Sequence, residues 1–128
     1  LKKLQNRDDI NILVKSFYSK IRQNNLLGPI FNKHITENEW PLHLEKLTDF
    51  WETNLLGKPV FKGNPTLKHI LVDANLNYKI EQQHFTTWVN IWIETIDELF
   101  VGELADQAKL AAKRMASNQF LAISHNRQ

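Results

Sequence analysis

Apolar residues recur at helical spacing in four long stretches, and nowhere do they alternate as strand residues would. That restricts the chain to helices packed on helices. Ile10, Leu13, Val14, Phe17, Tyr18 and Ile21 make the first stripe. Trp40, His43, Leu44, Leu47, Phe50, Trp51 and Leu55 make the second. Phe85, Trp88, Val89, Trp92, Ile96, Leu99 and Phe100 mark a third helix, expected from about Tyr78 to Phe100. The last follows Gly102 and carries Leu104, Ala108, Ala111, Ala112, Met115, Ala116 and Ile123. Its alanines invite a close helix neighbour. The expected class is all-α.

The breaks are equally legible. Asp8 and Asp9 are candidate caps for the first helix. Gly28 and Pro29 end it, and Pro29 opens a short turn bearing Ile30, Phe31 and Ile35. Thr36 to Asn38 supply caps for the second helix, whose first turn tolerates Pro41. Lys46, Asp49 and Glu52 fall off its apolar stripe. Gly57 breaks that helix. Residues 57–66 then read as an irregular loop, with Gly57, Pro59, Gly63 and Pro65. Between that loop and the break at Asp73, Asn75 and Asn77 there is room for about two turns of helix. That short helix carries His69 among Leu67, Ile70 and Leu71.

One domain spanning residues 1–128 is expected from a chain of this length, which can bury a core without staples. Without cysteine there is no disulfide, thiolate metal site or covalent haem-attachment motif. Charges of both signs are interspersed and the net charge is +2, so nothing marks a nucleic-acid surface. No apolar run is long enough to span a bilayer, and the N-terminus lacks a signal-peptide pattern. The expectation is a cytoplasmic monomer. Four Trp and seven Phe are a large aromatic allotment, suited to a core or to a pocket for a flat ligand.

The informative residues are polar ones on apolar faces. Tyr18, His43 and Trp88 come from three helices, and His69 from a fourth. Taken singly, a buried Tyr or Trp is more often a core residue whose polar tip meets a backbone carbonyl. A lone His43 or His69 is more often a satisfied core or surface histidine. His34, His84 and His125 join no constellation, and solvent or capping roles suit them. Jointly, two histidines and two buried donors suit an iron porphyrin. One imidazole would ligate iron, and a small gas would bind opposite, under the phenol and indole. Zinc fits less well, because its histidine ligands favour close spacing. The remaining alternative is a helical interaction module without haem.

The ordered set of motifs resembles the group III truncated haemoglobins, a bacterial branch of the 2-on-2 globins, over nearly the whole chain. The set is Phe17-Tyr18, Leu27-Gly28-Pro29-Ile30-Phe31, Trp40-x-x-His43 with Phe50-Trp51, Lys68-His69, and Trp88. The resemblance implies a helical sandwich around haem b, with His69 as the proximal iron ligand and Lys68 beside it. It implies Tyr18 and Trp88 as distal donors, and His43 near iron as a gate or a sixth ligand. Leu47 would face the ligand, Trp51 would border the pocket, Phe31 would wedge against the porphyrin, and Lys46 would meet a propionate. Gly28 and Gly57 stand alone where other truncated globins carry paired glycines, which fits group III.

The implied function is binding of O2, NO or CO at a pentacoordinate iron. Two donors would slow O2 release, which suits transport poorly. The alternative is a nitric-oxide dioxygenase or a peroxidase-like enzyme, either of which needs a separate reductase.

Overall fold

The computed structural model describes residues 1–58 and 81–127, with side chains described as far as Ser124. Among these residues lie five α-helices: α1 (Arg7–Gln23), α2 (Gly28–His34), α3 (Trp40–Leu56), α4 (Gln82–Leu99) and α5 (Glu103–Arg127). Helix α1 packs on α3, α4 packs on α5, and α1 also lies against α4. This is a two-on-two helical arrangement, and the all-α expectation holds. One detail was not legible as alternation. Lys2–Lys3 (β1) pairs in parallel with Phe100–Val101 (β2), and the Leu4 N–H reaches the Val101 carbonyl at 3.2 Å.

Asn6, not Asp8 or Asp9, caps α1: its side chain accepts the Asp9 N–H at 3.0 Å. Asp9 turns inward instead. It is buried, ion-paired to Lys2, and accepts the Gln5 N–H at 3.0 Å. The N-terminal arm is thereby tied to the first turn of α1.

The first stripe is buried as its spacing predicts: Ile10, Leu13, Val14, Phe17 and Ile21 are all about fully enclosed. At the far end, Asn24 accepts the Leu26 and Leu27 amides through its side chain, each at 2.9 Å. That turn sets Gly28 against α1. A Cβ added at Gly28 would stand 2.6 Å from the Arg22 carbonyl oxygen. The close approach places α2, and with it Phe31.

A single 3-10 turn, Glu37–Glu39, precedes α3. Thr36 and Glu39 cap it reciprocally, and Pro41 falls in the first turn of α3, where its missing N–H costs no helical bond. Helix α3 ends at Gly57, which takes a left-handed φ of 72°. Helix α4 starts at Gln82, with Glu81 as cap, whereas the apolar pattern put the start near Tyr78. His84 serves as a capping group, its Nδ1 accepting the Glu81 N–H at 2.9 Å.

Ala105, Ala108, Ala112 and Ala116 form a buried small-residue spine on α5. It lets α4 come close enough for the Trp92 indole to donate to the Ala108 carbonyl at 3.1 Å. No helix among the described residues is long and apolar enough to cross a membrane.

Candidate functional site

Tyr18 is the hub. Its position on the α1 stripe buries the ring, and rings from α2 and α3 converge on it. Phe31 is 5.8 Å away, Trp40 5.9 Å and His43 6.2 Å, between ring centroids. Phe17 meets it edge-on at 4.7 Å. Helix α4 supplies the polar influence: the Trp88 indole N–H lowers the pKa of the Tyr18 hydroxyl. Burial pushes the phenol up to about 12, and Trp88 only partly offsets this. Tyr18 is therefore a neutral phenol at ordinary pH. Its proton remains on the oxygen.

His43 is half-buried and stands edge-on to both Tyr18 (83°) and Trp40 (87°). Leu47, one turn later, is half-buried against the core. Tyr18, Phe31, His43, Leu47 and Trp88 thus form one cluster built by four helices. Four of these five keep part of their surface uncovered by the core, and only Tyr18 is fully enclosed. That leaves apolar surface beside two polar tips.

One expected site residue lies elsewhere. Trp51 is only 2% exposed and belongs to the core, stacked on Trp92 at 4.5 Å and on Phe50 at 5.4 Å. Lys46 is exposed and forms no salt bridge among the described residues. Trp88, expected as a buried donor, is half-buried as a residue. Its ring lies parallel to that of Trp92, 6.2 Å away. His69, Lys68 and the short helix expected around them lie outside the described residues, as do the loop beyond Lys58 and the side chain of His125. His34, assigned to solvent or a cap, instead has its Nε2 buried without a hydrogen-bond partner. No group of three or more His, Asp or Glu able to hold a metal ion occurs among the described residues.

No family model matches the chain. The group 3 truncated hemoglobin ctb of Campylobacter jejuni is 30% identical over 115 residues, which cover 88% of this chain and 87% of that protein. The crystal structure of the group III truncated hemoglobin from Campylobacter jejuni matches with a TM-score of 0.85 and 28% identity. It covers 96% of this chain and 95% of that one. The chain belongs to the group 3 truncated haemoglobins.

Membership makes it a globin-type haem protein by family. In this truncated haemoglobin the residues foreseen on α1, α2, α3 and α4 do meet. Sequence reasoning missed a second polar set on the far side of α3. Arg7 Nη1 holds Asp49 at 2.7 Å and the buried Glu52 at 3.0 Å. Beside them the buried Thr48 accepts from Asn11 at 3.1 Å and donates to the Leu44 carbonyl at 2.8 Å. The available signal was spacing: Arg7 and Asn11 lie one turn apart on α1, as do Thr48 and Glu52 on α3.

Proposed function

We propose that the chain, folded as one domain, binds haem b and uses it to hold a small diatomic ligand, with His69 as the axial imidazole. The observation that carries this reading is the convergence of Phe31, Trp40 and His43 on the buried Tyr18 ring, whose phenol is held neutral by burial. The half-buried apolar groups Phe31, Leu47 and Trp88 fit the face of a flat macrocycle. Haem, when bound, would supply the iron chemistry that takes up O2, NO or CO.

Every other contribution is the protein's. Tyr18, kept protonated by burial, donates its O–H to a ligand that gains negative charge. Trp88, which lowers the phenol pKa, would donate to its oxygen and polarise the O–H into a stronger donor. His43 stands over the approach to the phenol from α3. Lys46, exposed on the same helix one turn after His43, would meet a propionate with little energy.

The test is absorption spectroscopy on protein reconstituted with haem. Wild type should give a Soret band and a stable oxygenated form. His69→Ala should lose the axial-imidazole signature while the helical circular dichroism of the apo protein persists. Wild-type protein that folds and refuses haem would overturn the proposal. So would a His69→Ala spectrum identical to wild type.

A further inference from the structure

Three of the four tryptophans stack into one column. Trp88 and Trp92 lie one turn apart on α4, which puts their indoles on one face. Their ring planes differ by 4°, with centroids 6.2 Å apart. Trp51 of α3 completes the column, 4.5 Å from Trp92 and tilted by 20°. Trp51 and Trp92 are buried, whereas Trp88 is half-buried. The column therefore has one end within reach of solvent and a body sealed in the core.

Indole is among the side chains most easily oxidised by one electron, and parallel indoles in contact are suited to share the missing electron. A positive charge on the Trp92 ring would lie between the faces of Trp88 and Trp51, and ring faces attract cations. Spreading it over three rings also lowers the cost of holding charge in the core. The Trp92 indole N–H donates to the Ala108 carbonyl at 3.1 Å. That carbonyl accepts the hydrogen bond but is no base for the proton, so the charge stays on the ring.

Trp40, the fourth tryptophan, is arranged the other way. The Arg22 guanidinium lies 4.6 Å over its ring, and a fixed cation there opposes removal of an electron. Its Nε1 is buried without a hydrogen-bond partner, so no acceptor steadies the charge that oxidation would leave on the N–H. Tyr18 is also a poor resting place. A phenol gives up its proton when it is oxidised, and burial already pushes this one up to about 12. Phe17 stands edge-on to both Tyr18 and Trp92, at 4.7 Å and 4.9 Å. The column thus runs one ring away from the phenol assigned to the ligand.

We propose that Trp88, Trp92 and Trp51 form a relay that takes up one oxidising equivalent from a radical oxidant at Trp88 and carries it into the core, away from Tyr18. Each step moves one electron. Trp88 gives an electron to the oxidant, Trp92 then restores Trp88, and Trp51 restores Trp92. No bond within the protein forms or breaks, and the N–H protons stay on their nitrogens. The relay does not rest on haem binding.

The oxidant for the test is the dibromide radical anion, made by pulse radiolysis of the full chain in bromide without added haem. It attacks indoles in preference to phenols and becomes two bromide ions on taking one electron. Among the tryptophans it reaches Trp88, the other three being buried. Transient absorption separates the indole radical cation from the neutral radical formed when the N–H proton escapes to water. The radical cation of wild type should outlive that of Trp92→Phe about tenfold, the advantage of holding the charge between two ring faces. Trp51→Phe, which shortens the column by one ring, should fall between them. Trp88→Phe should lose most of the indole radical, and Trp40→Phe should behave as wild type. Circular dichroism checks that each variant keeps its helices. Lifetimes as long in Trp92→Phe and Trp51→Phe as in wild type overturn the relay, and so does an undiminished radical yield in Trp88→Phe. A lifetime shortened by Trp40→Phe overturns the choice of column.

Discussion

The Trp88 indole lowers the pKa of the Tyr18 phenol while burial raises it, which sets these two polar tips in series rather than side by side. From sequence both looked like independent donors aimed at the ligand. In series, Trp88 acts through Tyr18. With haem bound, Tyr18→Phe should raise the O2 dissociation rate by roughly ten- to a hundredfold, the worth of a hydrogen bond to a charged acceptor. Trp88→Phe should raise it only about threefold, the polarisation share. The double variant should match Tyr18→Phe alone. Stopped-flow dissociation rates check this, and effects that multiply in the double variant would show two parallel donors.

The same burial gives an alkaline signature. The Tyr18 phenol is pushed up to about 12 from an ordinary value of 10.0. Its folded value exceeds its unfolded one, so its stabilising contribution is whole below pH 10 and is lost as pH rises toward 12. The loss should be roughly 2–3 kcal/mol. Urea unfolding midpoints followed through that window should fall in wild type and fall less in Tyr18→Phe. Parallel curves for the two proteins would mean that the phenol titrates normally.

How much of this was legible depended on the kind of residue. Stripes such as Ile10 to Ile21 announce themselves because apolar burial follows helical spacing. Tyr18 and His43 were legible because a polar tip on such a stripe must meet something. Trp88 was placed on the right face but buried too deeply, because periodicity gives direction and not depth. Trp51 was assigned to a pocket wall although it stacks on Trp92 in the core. Nothing in the spacing of one helix tells which neighbouring ring it will meet. Glu52 was read as off the stripe, yet it is buried, because its partner Arg7 lies 45 residues away in the chain. Asp9 was taken for a cap for a similar reason: its partner Lys2 precedes the helix.

That N-terminal tie predicts acid sensitivity. Burial alone would raise the Asp9 carboxyl, but hydrogen bonds from Lys2 and the Gln5 amide, with the Lys2 charge, outweigh it and hold it below the ordinary 3.8. A lowered folded value means stability that is present above pH 3.8 and lost as pH falls through the folded value. Asp9→Asn should therefore be less stable than wild type near neutrality. The gap should close on acidification below that point. Thermal midpoints across the acid range test this, and a gap that stays constant would remove the Lys2–Asp9 pair from the account.

Gly28 and Gly57 should respond differently to alanine. At Gly28 the new methyl meets the Arg22 backbone at 2.6 Å, and no side chain can yield. The cost should be about 1–3 kcal/mol, the range for overpacking, with displacement of α2. At Gly57 nothing lies within 4 Å of the added carbon, and only the left-handed φ of 72° is strained. That cost should be about 1 kcal/mol. Denaturant midpoints rank the two. A Gly28→Ala protein as stable as Gly57→Ala would mean that α2 is not held by close approach.

Arg7 joins α1 to α3 through Asp49 and Glu52, and the pairing is asymmetric. Glu52 has only 6% of its side chain exposed, while Arg7 keeps 38% in water. Removing Arg7 strands the Glu52 carboxylate with Lys58 at 3.9 Å as its remaining cation. Arg7→Ala should cost about 2–3 kcal/mol, less than for a fully buried pair because water already reaches the guanidinium. Replacing both partners with apolar groups, as in Arg7→Met with Glu52→Leu, removes the stranded charge. That double variant should recover most of the loss, because desolvating the pair offsets much of its attraction. Urea unfolding of the single and double variants decides it: a double variant less stable than Arg7→Ala would show that the ion pair itself holds α1 against α3.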